Sequence, residues 1–260
     1  MAAKGKRLGL VCLLFLAATI ATSSAVVVQE AGVRISVLSQ VMPYKLPREK
    51  PAPVAILVAG HLAAADGSIP PQLERLEIQI NRHGLLQSRG LPVCHPRQVQ
   101  PATTARALSN CGPALIGSGQ FWAHIILPGQ EPYPTKGRLL IFNGRRHGRP
   151  TLLAQIYTAH PFNSSFLIAF AIRRVSDGHY GTELRASLPE ALGTWGYLDR
   201  IKLTLKRRYR VAGRQLSYFN AACPAPAGTT RVAFPLARAT FFFGDRRIAV
   251  PVDKACGVKE

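Results

Sequence analysis

The chain has 260 residues, of which 33 are Lys or Arg and 13 are Asp or Glu, so its formal net charge is +20. Hydrophobic residues make up 47% of the sequence, which excludes a disordered basic tail and predicts a folded body with an apolar core. This length suits one large all-β domain or two small ones.

The N-terminus has the three parts of a secretory signal peptide. The basic residues are Lys4, Lys6 and Arg7, the apolar run of 14 residues covers 8–21, and the small residues are Ser23, Ser24 and Ala25. The run is short for a membrane span, which needs about 20 residues. We therefore predict a signal peptide over 1–25 and export of residues 26–260 to the cell envelope or the extracellular space. An uncleaved membrane anchor is the alternative.

Four cysteines follow the predicted signal peptide, namely Cys94, Cys111, Cys223 and Cys256. An even number of cysteines in an exported chain predicts two disulfides, for which three connectivities are possible. We favour Cys94–Cys111 and Cys223–Cys256, because each pair is close in sequence and closes one local loop. None of the four has the CxxC spacing of a zinc site, and we predict no metal and no other cofactor.

Alternation of apolar and polar residues dominates the chain from the first strand onward, which is the pattern of β-strands. Strands are predicted at 33–38, 54–62, 76–81, 139–142, 152–158, 166–172 and 201–209, with a last hairpin over 241–252. Asn143-Gly144 predicts the turn after the strand at 139–142, followed by a loop at 145–150. The stretch 128–137 is a candidate long loop or lobe boundary.

Helical signals are few. Thr103–Asn110 predicts two helical turns between Pro101 and Gly112, and Pro189–Leu192 is a candidate for one more turn. With 20 Pro and 22 Gly in the chain, long helices are not expected. The expected fold is an all-β, antiparallel β-sandwich-like domain with one or two short helices.

Basic residues concentrate on two predicted hairpins. In the strand that begins at Ile201, the apolar side chains point to one face and the basic ones to the other, because side chains alternate along a strand. Ala212-Gly213 then makes the turn, and a return strand runs from 215 to 222. The candidate polyanion-binding residues on the two hairpins are Arg145, Arg146, Arg149, Arg200, Lys202, Lys206 and Arg208.

Several stretches of the chain resemble a group of uncharacterised exported proteins of high-GC actinobacteria. They are GLPVC (90–94), ALSNCGPALIGSG (107–119), FNG (142–144), YGTEL (180–184), SYFNAACPAPAG (217–228) and FPLARATFFF (234–243). The resemblance covers roughly residues 70–256. It implies export, disulfides and a β fold, and it carries no catalytic residues.

No catalytic motif is recognised in the sequence. Gly117-Ser118-Gly119 lacks the GxSxG spacing of a nucleophilic serine, and no HExxH spacing occurs among the seven histidines. The carboxylate pairs Glu74 with Glu77 and Asp177 with Glu183 are the candidates for a glycosidase-type site. His61 with Asp66 is a conceivable site, although a structural histidine is the better interpretation.

The sequence therefore predicts a non-enzymatic binding protein whose cationic face contacts an anionic polymer or surface. Sequence-specific nucleic-acid recognition is not expected, no membrane span is expected after signal cleavage, and the oligomeric state stays open. An extracellular hydrolase acting on polysaccharide or ester substrates is one alternative, and a structural or adhesive module with a protein partner is another. A basic surface that serves only solubility is a further interpretation, because cationic edge strands resist edge-to-edge pairing.

Overall fold

A computed structural model describes residues 25–190 and 195–259, so the predicted signal peptide up to residue 24 and the end of the candidate turn at Pro189–Leu192 lie outside the described residues. Within them the protein is all-β with two short α-helices, as predicted. The first strands are β1 (Val26–Glu30), β2 (Val33–Met42), β3 (Lys45–Leu46), β4 (Ala52–Pro53), β5 (Ala55–Ala64), β6 (Arg75–Asn81), β7 (Gly84–Leu86), β8 (Leu115–Ile125) and β9 (Tyr133–Arg146). They are followed by β10 (Arg149–Thr158), β11 (Ser164–Asp177), β12 (Tyr180–Ser187), β13 (Gly196–Leu205), β14 (Arg208–Val211), β15 (Arg214–Ser217), β16 (Phe219–Ala221), β17 (Arg231–Phe243) and β18 (Arg246–Val258). The helices are α1 (Pro96–Val99) and α2 (Thr104–Cys111).

Thirteen strands form one curled sheet in the order β1-β2-β5-β13-β8-β9-β10-β11-β12-β6-β17-β18-β3, antiparallel throughout except for the parallel pair of β18 and β3. The inner faces of its strands form a large apolar core and a second, smaller apolar cluster. The curl brings the two ends of the sheet together, since Val33 and Ile35 of β2 pack with Ile248 and Val250 of β18. Side chains on the concave side are therefore buried, and those on the convex side face outward.

The helices cover part of the convex side. Phe142 and Leu153, which are neighbours on β9 and β10, are fully buried beneath α1 and α2. The predicted helix at 103–110 is confirmed as α2, whose N-cap hydroxyl on Thr103 accepts a hydrogen bond from the Arg106 N–H, as N-cap residues do. The Cys94–Cys111 disulfide connects the two helices to β9, because the backbone of Cys94 forms an isolated β-bridge with Gly144 of β9.

The predicted turn at Asn143-Gly144 is wrong, because β9 continues through both residues to Arg146 and turns at His147-Gly148. Tertiary contacts explain why the strand continues through these two residues. The Asn143 amide donates to the Pro92 carbonyl at 2.8 Å, and a Cβ on Gly144 would lie 2.6 Å from the Leu153 side chain. The glycine is needed for close packing within the sheet, not for a turn.

The strand predicted from Ile201 to Tyr209 is two strands in different sheets. The first of them, β13, ends at Leu205, and the chain re-enters as β14, which pairs with β15 across the predicted Ala212-Gly213 turn. The break lies at Lys206 and Arg207. There the Arg207 guanidinium donates to the Pro113 carbonyl at 2.8 Å. The backbone carbonyl of Arg207 accepts a hydrogen bond from the Tyr218 N–H.

Both predicted disulfides are confirmed, with Cα–Cα distances of 5.6 Å for Cys94–Cys111 and 5.8 Å for Cys223–Cys256. The second one joins the segment after β16 to β18, and both of its cysteines belong to the main core. It therefore connects the small sheet formed by β4, β16 and β7 to the edge of the large sheet.

We predict that the double variant Cys223→Ser, Cys256→Ser loses about 2–4 kcal/mol of unfolding free energy, because the cross-link no longer restricts the unfolded chain. Urea unfolding followed by circular dichroism measures the loss. An unchanged midpoint in the double variant would show that this disulfide does not form in the protein.

A second prediction concerns Gly137, which lies directly opposite Phe121 in the β8–β9 pair. A Cβ at Gly137 would lie 2.1 Å from the Tyr157 carbonyl oxygen and 2.6 Å from the Phe121 ring. Gly137→Ala should therefore lower the free energy of unfolding by about 1–3 kcal/mol, as overpacking does.

Gly112→Ala is the matched control, because its Cβ would meet nothing within 4 Å and the residue has helical φ and ψ angles. It should be neutral or stabilising by up to about 1 kcal/mol. Equal unfolding midpoints for the two alanine variants would contradict the close approach of β9 to β10 and Phe121.

Candidate functional site

The seven predicted cations are all exposed, and they occupy separate places on the surface of the protein. Arg145, Arg146 and Arg149 flank the β9–β10 turn, where Arg146 and Arg149 line a shallow cleft with His147. Arg200 and Lys202 lie in the middle of β13, whereas Lys206 follows its last residue and Arg208 belongs to the β14–β15 hairpin. The structure brings Arg146 and Arg149 together, with Arg145 next to them on the other face of β9, and it brings Arg200 and Lys202 together, but it does not join the two groups.

The separation follows from the register. Lys202 is opposite Gln120 of β8, which is opposite Arg138 of β9. Arg145 lies seven residues beyond Arg138 on the same strand, which corresponds to about 23 Å. The two predicted basic hairpins therefore present two distinct surfaces.

Two more cations join Arg200 and Lys202 at the centre of the sheet. One row across the strands contains Arg200, Trp122 and Lys136, and the neighbouring row contains Lys202, Gln120, Arg138 and Tyr157. Residues directly opposite each other share one face, and the four basic residues are all exposed. We call Lys136, Arg138, Arg200 and Lys202, with Trp122 and Tyr157, the cationic face.

The four cations of this face have no ion-pair partner among the described residues. Elsewhere on the sheet, three arginines are paired: Arg75 and Arg185 both contact Glu77, and Arg238 contacts Asp177 at 2.6 Å. Those acids lie on β6 and at the end of β11. The positive charge is thus compensated at one part of the convex side and uncompensated on the cationic face.

His61 borders the cationic face, and its Nε2 lies 2.9 Å from the Asp199 carboxylate. The sequence pairing of His61 with Asp66 is wrong, because Asp66 accepts hydrogen bonds from the backbone and hydroxyl of Ser68. The hydroxyl bond lowers the pKa of Asp66. In the part of the chain that the structure describes, no serine or threonine hydroxyl bonds to His61, so the pair lacks the nucleophile of a hydrolytic triad.

The concave side of the same strands contains a cavity of about 310 Å³. Its walls come mainly from β5, β8, β9, β10, β11 and β13 and from the segment 69–73. The wall is mainly apolar, and its apolar members are Leu62, Ile69, Pro70, Pro71, Leu73, Phe121, Ala123, Ile125, Ile126, Ile156, Phe162, Phe166, Ile168, Leu188, Trp195 and Leu198. This volume lies at the lower end of the range of about 300–1,000 Å³ for small-ligand sites.

The polar groups in the cavity wall are few and mostly occupied. The Thr135 and Thr158 hydroxyls contact each other at 2.8 Å, and Thr135 also donates to the His160 carbonyl at 2.6 Å. The His124 ring stacks on Tyr197 with 4.8 Å between centroids, and burial raises the pKa of Tyr197. The buried His124 Nδ1 has no hydrogen-bond partner among the described residues.

The carboxylates proposed from the sequence for a hydrolase do not converge on this cavity. No Asp or Glu of the described residues lines it. Glu77 is bound by two arginines and Asp177 by Arg238, so neither offers a free carboxylate pair. The described residues also contain no group of three or more His, Cys, Asp or Glu placed to hold a metal ion.

Sequence reasoning missed Lys136, Arg138, Trp122 and Tyr157. A usable signal was present in Lys136-Gly137-Arg138, where two cations alternate with a small residue as they do on one face of a strand. The interpretation of 128–137 as a loop hid this pattern, although β9 begins at Tyr133. The cavity lining could not be found from sequence, because six strands and a loop that are distant in the chain build it.

No helix within residues 25–190 and 195–259 is long and apolar enough to cross a membrane. Comparison with known proteins adds no assignment: no family model, no curated protein and no solved structure matches this chain.

Proposed function

We propose that the protein is an exported, non-enzymatic binding protein whose cationic face contacts an anionic polymer. The observation that carries the proposal is the grouping of four exposed cations, unpaired among the described residues, on β9 and β13, the two strands that flank β8. Such a surface attracts repeated phosphate, sulfate or carboxylate groups.

The spacing of the cationic face suits a repeating anion. Alternate residues on a strand are about 6.6 Å apart, and β13 and β9 are two strand spacings apart, which is about 10 Å. The Cα atoms of the four cations therefore form a grid of about 7 by 10 Å on a hydrogen-bonded sheet. The backbone of the sheet is already ordered, so binding a polymer has to order only the four side chains.

Aromatic side chains give the face a second kind of contact. Trp122 lies between Arg200 and Lys136 in one row, and the Arg200 guanidinium is 5.9 Å from the Trp122 ring centroid. Tyr157 is opposite Arg138 at the end of the other row. Half-buried aromatic rings among cations can stack on sugar rings or bases without reading a sequence.

Two disulfides support the exported location, because such bonds persist in oxidising compartments. Export and contact with the cell envelope are part of the proposal. The hydrolase alternative has no comparable support, since the cavity wall contains no carboxylate among the described residues.

The test uses inorganic polyphosphate as the probe, with the fluorescence of Trp122 as the signal in a Trp195→Phe background. The variant carries Lys136→Ser, Arg138→Ser, Arg200→Ser and Lys202→Ser. We expect its affinity to fall and the slope of log K against log salt to decrease by about one for each phosphate contact removed.

The control variant removes the same net charge from other predicted positions with Arg145→Ser, Arg146→Ser, Arg149→Ser and Arg208→Ser. It should keep most of the affinity, because exposed charges beyond a Debye length of about 8 Å act weakly at physiological salt. Equal losses in the two variants would mean that only net charge matters, and a larger loss in the control would place binding at the β9–β10 turn.

A further inference from the structure

We propose that the cavity on the concave side binds the hydrocarbon chain of a single-chain amphiphile, such as a fatty acid. This site is separate from the cationic face, on the opposite side of the same strands. Polyanion binding at the cationic face does not depend on a ligand in the cavity. The two sites are tested with different probes and different tryptophans.

The chemistry of the wall selects an apolar ligand. Sixteen of the 23 lining residues are apolar, and the Thr135 and Thr158 hydroxyls already have partners. A sugar or nucleotide in this cavity would leave several of its polar groups without hydrogen bonds, which is costly in an apolar site. A hydrocarbon chain has no such groups.

The volume of the cavity fits a ligand with a single hydrocarbon chain. Its volume of about 310 Å³ lies at the lower limit for ligand sites of about 300–1,000 Å³, which is too small for a lipid with several acyl chains. The recess within the curl of the sheet also distinguishes it from the flat surfaces that proteins use to dock with each other.

The surroundings select an amphiphile over a plain hydrocarbon. Three lining side chains remain exposed, with relative accessibilities of 51% for Ile69, 47% for Phe162 and 58% for Trp195. Exposed apolar groups at the edge of a recess mark the entry of an apolar ligand. No Asp or Glu lies in the described cavity wall, so an anionic headgroup left at the opening meets no carboxylate of that wall.

Trp195 provides a built-in reporter, because the chain has only two tryptophans. In a Trp122→Phe background, saturated fatty acids from 8 to 16 carbons are titrated as monomers and the emission of Trp195 is followed. We expect a blue shift that saturates. Affinity should rise about three- to fourfold per added methylene until the chain fills the cavity.

Ala123→Phe tests the location. Ala123 lies between Phe121 and Ile125 on the concave side of β8 and lines the cavity, so the added ring should lower the affinity for palmitate at least tenfold. The control Ala105→Phe adds the same ring to an exposed position of α2 and should change the affinity less than twofold. If Ala123→Phe does not fold, Phe162→Ser at the opening should still weaken binding severalfold.

Two further titrations distinguish a free fatty acid from the acyl chain of a lysophospholipid as the ligand. Palmitate binding without binding of palmitoyl lysophosphatidylglycerol assigns a free fatty acid, and binding of both assigns an acyl chain regardless of its headgroup. The proposal is overturned if neither binds, if affinity does not depend on chain length, or if Ala123→Phe binds like the parent. It is also overturned if Trp195 emission shifts with protein concentration alone, since the occupant would then be a second copy.

Discussion

The continuous hydrogen-bonded ladder from β5 through β13, β8 and β9 to β10 is the constraint on which both candidate sites depend. In a pleated sheet, successive side chains point to opposite faces. The ladder therefore places Lys202 and Arg138 in one row on the convex side, and it places Phe121 and Ile156 on the concave side. A shift of one residue in any of these pairings would bring cations into the core.

This constraint also explains why much of the fold can be predicted and the sites cannot. The alternation of apolar and polar residues is local, so it predicts the strands, and Pro101 and Gly112 bound the short helix α2. The cysteine pairs were predictable because each closes a short loop. Strand order is not local, and the cationic face exists only because β8 lies between β13 and β9. No pattern in one segment contains that information.

The wrong sequence predictions have the same origin in tertiary contacts. Asn143 and Gly144 have the composition of a hairpin turn, yet the Pro92 carbonyl satisfies the Asn143 amide and Leu153 fills the space beside Gly144. At Lys206 and Arg207 the alternation of exposed and half-buried residues continues without interruption. The strand nevertheless changes its partner there, because hydrogen bonds with Ile116 and Pro113 replace the ladder.

The positions of the two disulfides can be compared with the position of the cavity. An apolar recess that is not filled by side chains lacks dispersion contacts on one side, and proteins lose stability in proportion to such empty volume. One disulfide fastens the helical cover to β9 on the convex side, and the other fastens the segment after β16 to β18 inside the core. Both lie away from the cavity wall, so they hold the frame closed without occupying the space that a ligand would use.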